Sequence, residues 1–281
     1  MSAAPGRPQA SSHRSPQGEA TPMSLLMVRQ LHKAFGGNRA VDGVDFDLGS
    51  GELLALIGPN GAGKSTLFNL LSGQLPADRG SVRLAGRELL GLAPHQIWRL
   101  GVGRTFQIAE TFGSLTVLEN VQMALLSADG GVFSFWRRAA HQRRDEAMEL
   151  LSQVGMVRHA HKPCADLSYG DVKRVELAIV MAHAPQLLLM DEPTAGMAPA
   201  ERLELMALTR RWVDARGLSV LFTEHSMDVV FAFADRIVVL ADGRVLADGP
   251  PQQVRQDARV QQAYFGTGKS FEKPPSGAPR A

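Results

Sequence analysis

An α/β fold organised around a glycine-rich loop is what the sequence predicts, and three observations predict it. Short β-rich runs alternate with helical patterns from Ser24 to Phe265. A glycine-rich segment, Gly58 to Thr66, lies between an apolar strand and an apolar-periodic helix. A second apolar run, Leu187 to Met190, ends in the paired carboxylates Asp191 and Glu192.

The elements follow in order. Leu25 to Leu31 reads as a strand, and Val44, Phe46 and Leu48 alternate with Asp45 and Asp47 to give a second, half-buried one. Glu52 to Ile57 is a short apolar strand that runs into the glycine-rich loop, after which Leu67, Phe68, Leu70 and Leu71 have helical spacing. From about Gln107 to Asp166 the pattern is helical, over Val117 to Leu126 and Ala139 to Val154, which predicts a separate helical lobe. Strands return at Leu187 to Met190, Ser219 to Thr223 and Ile237 to Leu240, with a hairpin turn at Asp242-Gly243 leading into Arg244 to Ala247. Pro199 to Ala215 and Ser226 to Ala234 are the intervening helices, and no internal repeat is present.

Composition bounds the function. The 281 residues are 44% hydrophobic and 21% charged, which excludes a wholly disordered chain. Lys plus Arg is 30 against 28 for Asp plus Glu, so the net charge of +2 gives no electrostatic case for a nucleic-acid partner. The longest uncharged apolar stretch, Leu177 to Met190, is interrupted by His183, Pro185 and Gln186 and is too short for a bilayer. The single cysteine, Cys164, cannot form an internal disulfide and reads as a small packing residue in a reducing compartment. The segments 1–23 and 268–281 are expected to be disordered tails, the first lacking the apolar core of a signal peptide, and 24–267 to be the folded domain. His13, His32, His95, His141, His159, His161 and His183 have no metal-placing spacing. The cluster Arg137, Arg138, Arg143 and Arg144 reads as a solvated helix face rather than a contact for lipid headgroups or a partner.

The loop carries chemistry. Gly58, Pro59, Asn60, Gly61, Ala62, Gly63, Lys64 and Ser65 fit G-x-x-x-x-G-K-[ST], followed by Thr66, with a strand before and a helix after. Glycines let backbone N–H groups turn toward a phosphate at the positive end of the helix. Lys64 is placed to neutralise β- and γ-phosphate charge, and the Ser65 hydroxyl to ligate Mg²⁺. Asp191-Glu192-Pro193 alone reads as a solvated helix cap. With a phosphate loop upstream, the run before it becomes a buried parallel strand delivering carboxylates to the same sheet edge, Asp191 for Mg²⁺ and Glu192 to accept a proton from an attacking water.

Several P-loop families share those motifs, and the remaining ones narrow the choice. Leu167-Ser168-Tyr169-Gly170-Asp171 resembles the signature of ABC transporter ATPases, usually Leu-Ser-Gly-Gly-Gln, keeping Ser168 and Gly170 and departing at Tyr169 and Asp171. Gln107, in Thr105-Phe106-Gln107, resembles the Q-loop, Ala195-Gly196-Met197-Ala198 the D-loop, and His225, in Thr223-Glu224-His225, the switch histidine. Phe35, in Phe35-Gly36-Gly37, sits where that family places an aromatic that stacks on adenine; a strand-end core residue is the other reading. Within the family the likeness is to ATP-binding subunits of branched-chain amino acid importers and their urea or short-amide relatives. It rests on those runs together with Gly103-Arg104-Thr105, Thr116 to Val121, Glu192 to Pro199 and Val260 to Gly266. Ala198 stands where Asp or Asn is usual, and Ser226 where Asp is common.

The resemblance implies an ABC-type P-loop ATPase with a RecA-like core, an antiparallel β subdomain and an inserted helical subdomain at about 107–168. It implies ATP and Mg²⁺ as ligands, with ATP between two ATPase chains and the phosphate loop of one facing Ser168 and Gly170 of the other. Glu192 would then activate water, His225 would stabilise γ-phosphate charge, and Gln107 would link Mg²⁺ and the attacking water to the lobe. The implied partners are a second ATPase chain (a paralogue or a copy), two permease subunits and a periplasmic binding protein. The implied location is peripheral, on the cytoplasmic face of a bacterial inner membrane. The rivals are a soluble ABC ATPase working on DNA or ribosomes, which usually carries two ATPase units or a long coiled coil, and an ATPase for lipopolysaccharide export.

Overall fold

A computed structural model describes residues 24–105, 111–128 and 143–265. The expected tails lie outside the described residues, as do Gln107, Arg137 and Arg138.

The chain begins with β1 (Ser24–Phe35) and β2 (Asn38–Gly49), an antiparallel pair. Val41, Val44, Phe46 and Leu48 of β2 are buried while Asp45 and Asp47 are not, the alternation of a strand with one covered face. The next elements are β3 (Leu53–Ile57), α1 (Lys64–Leu71), β4 (Arg79–Leu84), β5 (Arg87–Glu88), α2 (Pro94–Arg99) and β6 (Val102–Thr105). Then come α3 (Val117–Ala128), α4 (Arg144–Gln153), α5 (Tyr169–Met181), β7 (Leu187–Asp191), α6 (Pro199–Arg216), β8 (Ser219–Thr223) and α7 (Met227–Phe233). The described part ends with β9 (Arg236–Ala241), β10 (Arg244–Gly249), α8 (Pro251–Gln256) and α9 (Ala258–Phe265).

Two sheets result. The first is antiparallel, in the order β2-β1-β4-β5. The second runs β10-β9-β3-β8-β7-β6, parallel except for β10 against β9. Every residue of β3 and β8 is buried, as are the four apolar residues of β7, because both faces of a parallel sheet are covered. The register pairs Leu56 with Thr223, Asp191 with Thr223 and Thr105 with Met190. The C-terminal ends of β3, β6, β7 and β8 therefore lie level at one edge of the sheet, the edge where ligands of open α/β sheets bind.

Most predicted elements are present, with ends shifted by a few residues. The helix expected over Ala139 to Val154 is seen at Arg144–Gln153, its first four expected residues lying outside the described ones. The β9–β10 turn has Asp242 at φ 49° and Gly243 at φ 74°, the left-handed pair that a two-residue hairpin requires. Cys164 is buried and accepts a hydrogen bond from Asn120 Nδ2 at 3.2 Å, a packing role. The apolar faces of α3, α4 and α5 share one core with β3, β7 and β8.

Candidate active site

The phosphate loop is walled in by backbone. A Cβ on Gly58 would stand 2.3 Å from the Leu240 carbonyl oxygen, and one on Gly63 (φ 102°) 2.2 Å from that of Ala40. Only glycine fits either position. Gly243 N donates to Ala62 O at 3.2 Å, so the β9–β10 turn backs the loop from outside the sheet. From α9, burial pushes the Tyr264 phenol well above its ordinary pKa, opposed by a hydrogen bond with the Gly58 backbone. The loop ends at Gly63, the N-cap of α1, so the free N–H groups of that helix point at the loop's interior.

Lys64 lies across this interior. Its Nζ donates to Gly58 O at 2.7 Å and Pro59 O at 3.1 Å. Burial lowers its pKa, while the nearby Glu192 and Asp191 carboxylates pull the other way. Ser65 is exposed at the start of α1.

At the end of β7, Asp191 Oδ1 accepts from the Thr223 hydroxyl at 2.8 Å, and Oδ2 lies 3.6 Å from the Arg104 guanidinium. Arg104 also donates to Ser72 Oγ at 2.6 Å, tying β6 to the turn after α1. Glu192 N donates back to Thr223 Oγ1 at 2.9 Å. Glu192 has φ 48°, a strained left-handed backbone for a side chain of this size, worth on the order of 1–3 kcal/mol. That turn aims its carboxylate at His225, whose Nε2 lies 2.8 Å from Glu192 Oε1. Because a carboxylate only accepts, the contact places the imidazole proton on Nε2.

Ser168 is the N-cap of α5: its hydroxyl accepts from Asp171 N at 3.2 Å and donates to Asp171 Oδ2 at 2.9 Å. A Cβ on Gly170 would stand 3.1 Å from Oε1 of Glu201 on α6. Glu201 reaches back to accept from Ala198 N at 3.0 Å, the residue where a polar side chain was expected from the resemblance.

The sequence-predicted residues therefore fall into separate groups. The phosphate loop, Asp191, Glu192 and His225 meet at one sheet edge, and Glu192 and His225 line a cavity of about 230 Å³ with Thr194, Arg202 and Glu224. Ser168 and Gly170 line a different cavity of about 430 Å³ with Arg158, Arg174 and Glu201. Phe35, at the end of β1, is half exposed, with Lys33 Nζ 5.5 Å from its ring centroid. Thr223, Arg104 and Glu224 are further site residues that motif reading did not assign. The one hint in the sequence is a polar residue closing an apolar strand, as at Thr223.

Known proteins bear on this geometry. The ABC transporter family matches residues 41–195, and a branched-chain amino acid ATP-binding cassette transporter family matches residues 244–270. The high-affinity branched-chain amino acid transport ATP-binding protein LivG of Salmonella typhimurium is 39% identical over 249 residues, covering 86% of this chain and 98% of LivG. The lipopolysaccharide export system ATP-binding protein LptB of Escherichia coli K12 is 33% identical over 244 residues, covering 87% of this chain and 98% of LptB. A nucleotide-free ATP-binding cassette from an ABC transporter superposes with a TM-score of 0.77 at 28% identity, over 87% of this chain and all of that one. A dimeric post-hydrolysis cassette, MJ0796 bound to ADP and Pi, gives 0.70 at 26% identity, over 80% of this chain and 98% of that one. With LivG-like identity along the whole cassette and a phosphate loop facing Asp191, Glu192 and His225, the chain belongs to the ABC transporter family, as an ATP-binding ATPase of the branched-chain amino acid type.

Proposed function

We propose that this chain is the ATP-hydrolysing subunit of an importer for branched-chain amino acids or a related small polar solute such as urea or a short amide. The observation that carries the hydrolytic part is the Glu192–His225 contact at the sheet edge that also presents the phosphate loop. In this reading Gly58 to Thr66 cradles the β- and γ-phosphates through backbone N–H groups, and Lys64 exchanges its two carbonyl partners for phosphate oxygens. Glu192 accepts the proton of the attacking water, and the Nε2–H of His225 turns from Glu192 to the γ-phosphate. Phe35 stacks on the base.

Mg²⁺ fits the donor set, because the Ser65 hydroxyl and the Asp191 carboxylate are hard oxygens flanking the loop. Gln107 would complete it. When bound there, the cation supplies charge neutralisation for the transferred phosphoryl group.

The separation of Ser168 and Gly170 from the Glu192 cavity supports an active site shared between two ATPase chains, and the dimeric cassette among the structural relatives supports the same arrangement. The second chain is a paralogue or a copy, and both ride on two permease subunits served by a binding protein. A peripheral place on the cytoplasmic face of the membrane follows from that assembly; among the described residues no helix is long and apolar enough to cross a membrane.

The likeness to LptB keeps lipopolysaccharide export as a second reading. The family match at 244–270 favours the importer. Reconstitution with two permease subunits of the branched-chain amino acid type decides between them. Stimulation of ATP hydrolysis by a leucine-loaded or urea-loaded binding protein is expected, and stimulation by lipopolysaccharide alone would contradict the importer.

A further inference from the structure

Glu224 is a buried carboxylate with no role in the chemistry above, and it joins the two loops that carry that chemistry. Glu224 is 4% exposed, and Thr194, opposite it, is 1% exposed. Oε1 accepts from Thr194 N at 3.0 Å and from the Thr194 hydroxyl. Oε2 accepts from the backbone N–H groups of His225 at 3.1 Å and Ser226 at 3.3 Å. One side chain thus spans the loop after β7 and the loop after β8. Glu192 lies two residues before Thr194 on the first loop, and His225 follows Glu224 on the second.

A second strut joins the same two loops. Arg202 of α6 donates from Nε to Met197 O at 2.8 Å and from NH1 to Ser226 Oγ at 3.4 Å. Neither strut touches the phosphate loop. Every partner of Glu224 is a donor, so both of its oxygens must accept. A carboxylate meets that demand, whereas an amide of the same shape turns an NH₂ group either toward the N–H groups of His225 and Ser226 or toward Thr194, whose N–H then loses its acceptor. Burial sharpens the mismatch, because a group this little exposed has few other acceptors to turn to.

We propose that Glu224 is a positioning residue that locks the 192–198 loop to the 224–226 segment, fixing the Glu192–His225 geometry before nucleotide arrives. The lock makes the two loops move together, so a displacement of His225 at the γ-phosphate is carried to residues 194–198. This rests on the reading that Glu192 and His225 act on ATP.

The test uses the full-length chain and two variants, Glu224→Gln and Thr194→Val, the second removing only the hydroxyl donor. Backbone amide exchange is followed without nucleotide, alongside affinity for a fluorescent ATP analogue and steady-state phosphate release. Glu224→Gln should speed exchange at residues 194, 225 and 226 and lower kcat by about 10- to 100-fold, the scale of a misplaced catalytic group, with KM within about twofold. Thr194→Val should lower kcat less, and the double variant should be no slower than Glu224→Gln. Unchanged exchange at those amides, or unchanged kcat in Glu224→Gln, overturns the proposal. If Glu224→Gln does not fold, an unchanged kcat in a folded Thr194→Val overturns it instead. Amide exchange reports on the lock without turnover, so a wild-type chain that hydrolyses no ATP would sink the proposed function and leave the lock still decided.

Discussion

The Nε2 atom of His225 sits 2.8 Å from Oε1 of Glu192, although 33 residues separate them in the chain. The distance is set from below. β7 and β8 pair in parallel with Asp191 opposite Thr223, and the Thr223 hydroxyl bridges Asp191 Oδ1 and Glu192 N. The two residues that leave those strands are thereby brought level, and the left-handed turn at Glu192 directs its side chain across to the imidazole. The pair is thus in place before nucleotide arrives, and the proposed step asks only that the His225 Nε2–H turn from Glu192 to the γ-phosphate.

The backbone wall around the phosphate loop sorts its glycines. Gly63→Ala drives a methyl group into the Ala40 carbonyl at 2.2 Å, whereas Gly61 has open space around it and only its φ of 80° to resist a side chain. Gly63→Ala should abolish ATP binding and lower the melting temperature. Gly61→Ala should cost about 1–2 kcal/mol of stability from the left-handed backbone alone. Thermal melts and nucleotide titrations of the two variants check the order; equal losses would place the Ala40 wall elsewhere.

Phe35 is half exposed, with Lys33 Nζ 5.5 Å from its ring centroid, and the proposed reading gives it the base by stacking alone. GTP should therefore displace ATP with an affinity within about tenfold, because stacking needs only a π face. Phe35→Ala should weaken both nucleotides together. Strict ATP selectivity in a displacement titration would remove Phe35 as the sole base contact.

How much of this was legible in the sequence depends on how local each signal is. Gly58 to Ser65 and the Asp191-Glu192 pair were legible because spacing along the chain fixes their geometry. β6 was not read as a strand: Gly103 and Arg104 break its apolar pattern, and it exists through its pairing with β7. β4 hides likewise, its two buried residues Val82 and Leu84 lying among Arg79, Gly80 and Arg83. Glu224 looks like one more carboxylate beside a histidine. Its importance comes from Thr194, 30 residues away, and from a burial that only tertiary packing creates.

In the proposed reading two chains complete each site, because Ser168 and Gly170 line one cavity and Glu192 another. Lys64→Ala spoils the phosphate grip and spares Ser168, while Ser168→Arg spoils the N-terminus of α5 and spares the grip. Each variant alone should be inactive if the chain self-associates, and a mixture should peak in ATPase rate near equal amounts. Full activity of Ser168→Arg as a dilute monomer would refute the shared site. Restoration only by a paralogue would keep the shared site and reject the self-dimer.

Glu192 as the base that activates water is the centre of this account, and Glu192→Gln tests it most directly, since the amide keeps the shape and loses the proton acceptor. Phosphate release and ATP retention are measured on the same preparation. The expected result is a fall in turnover on the order of 10²-fold or more with ATP binding intact. Wild-type turnover in the Glu192→Gln chain would contradict it.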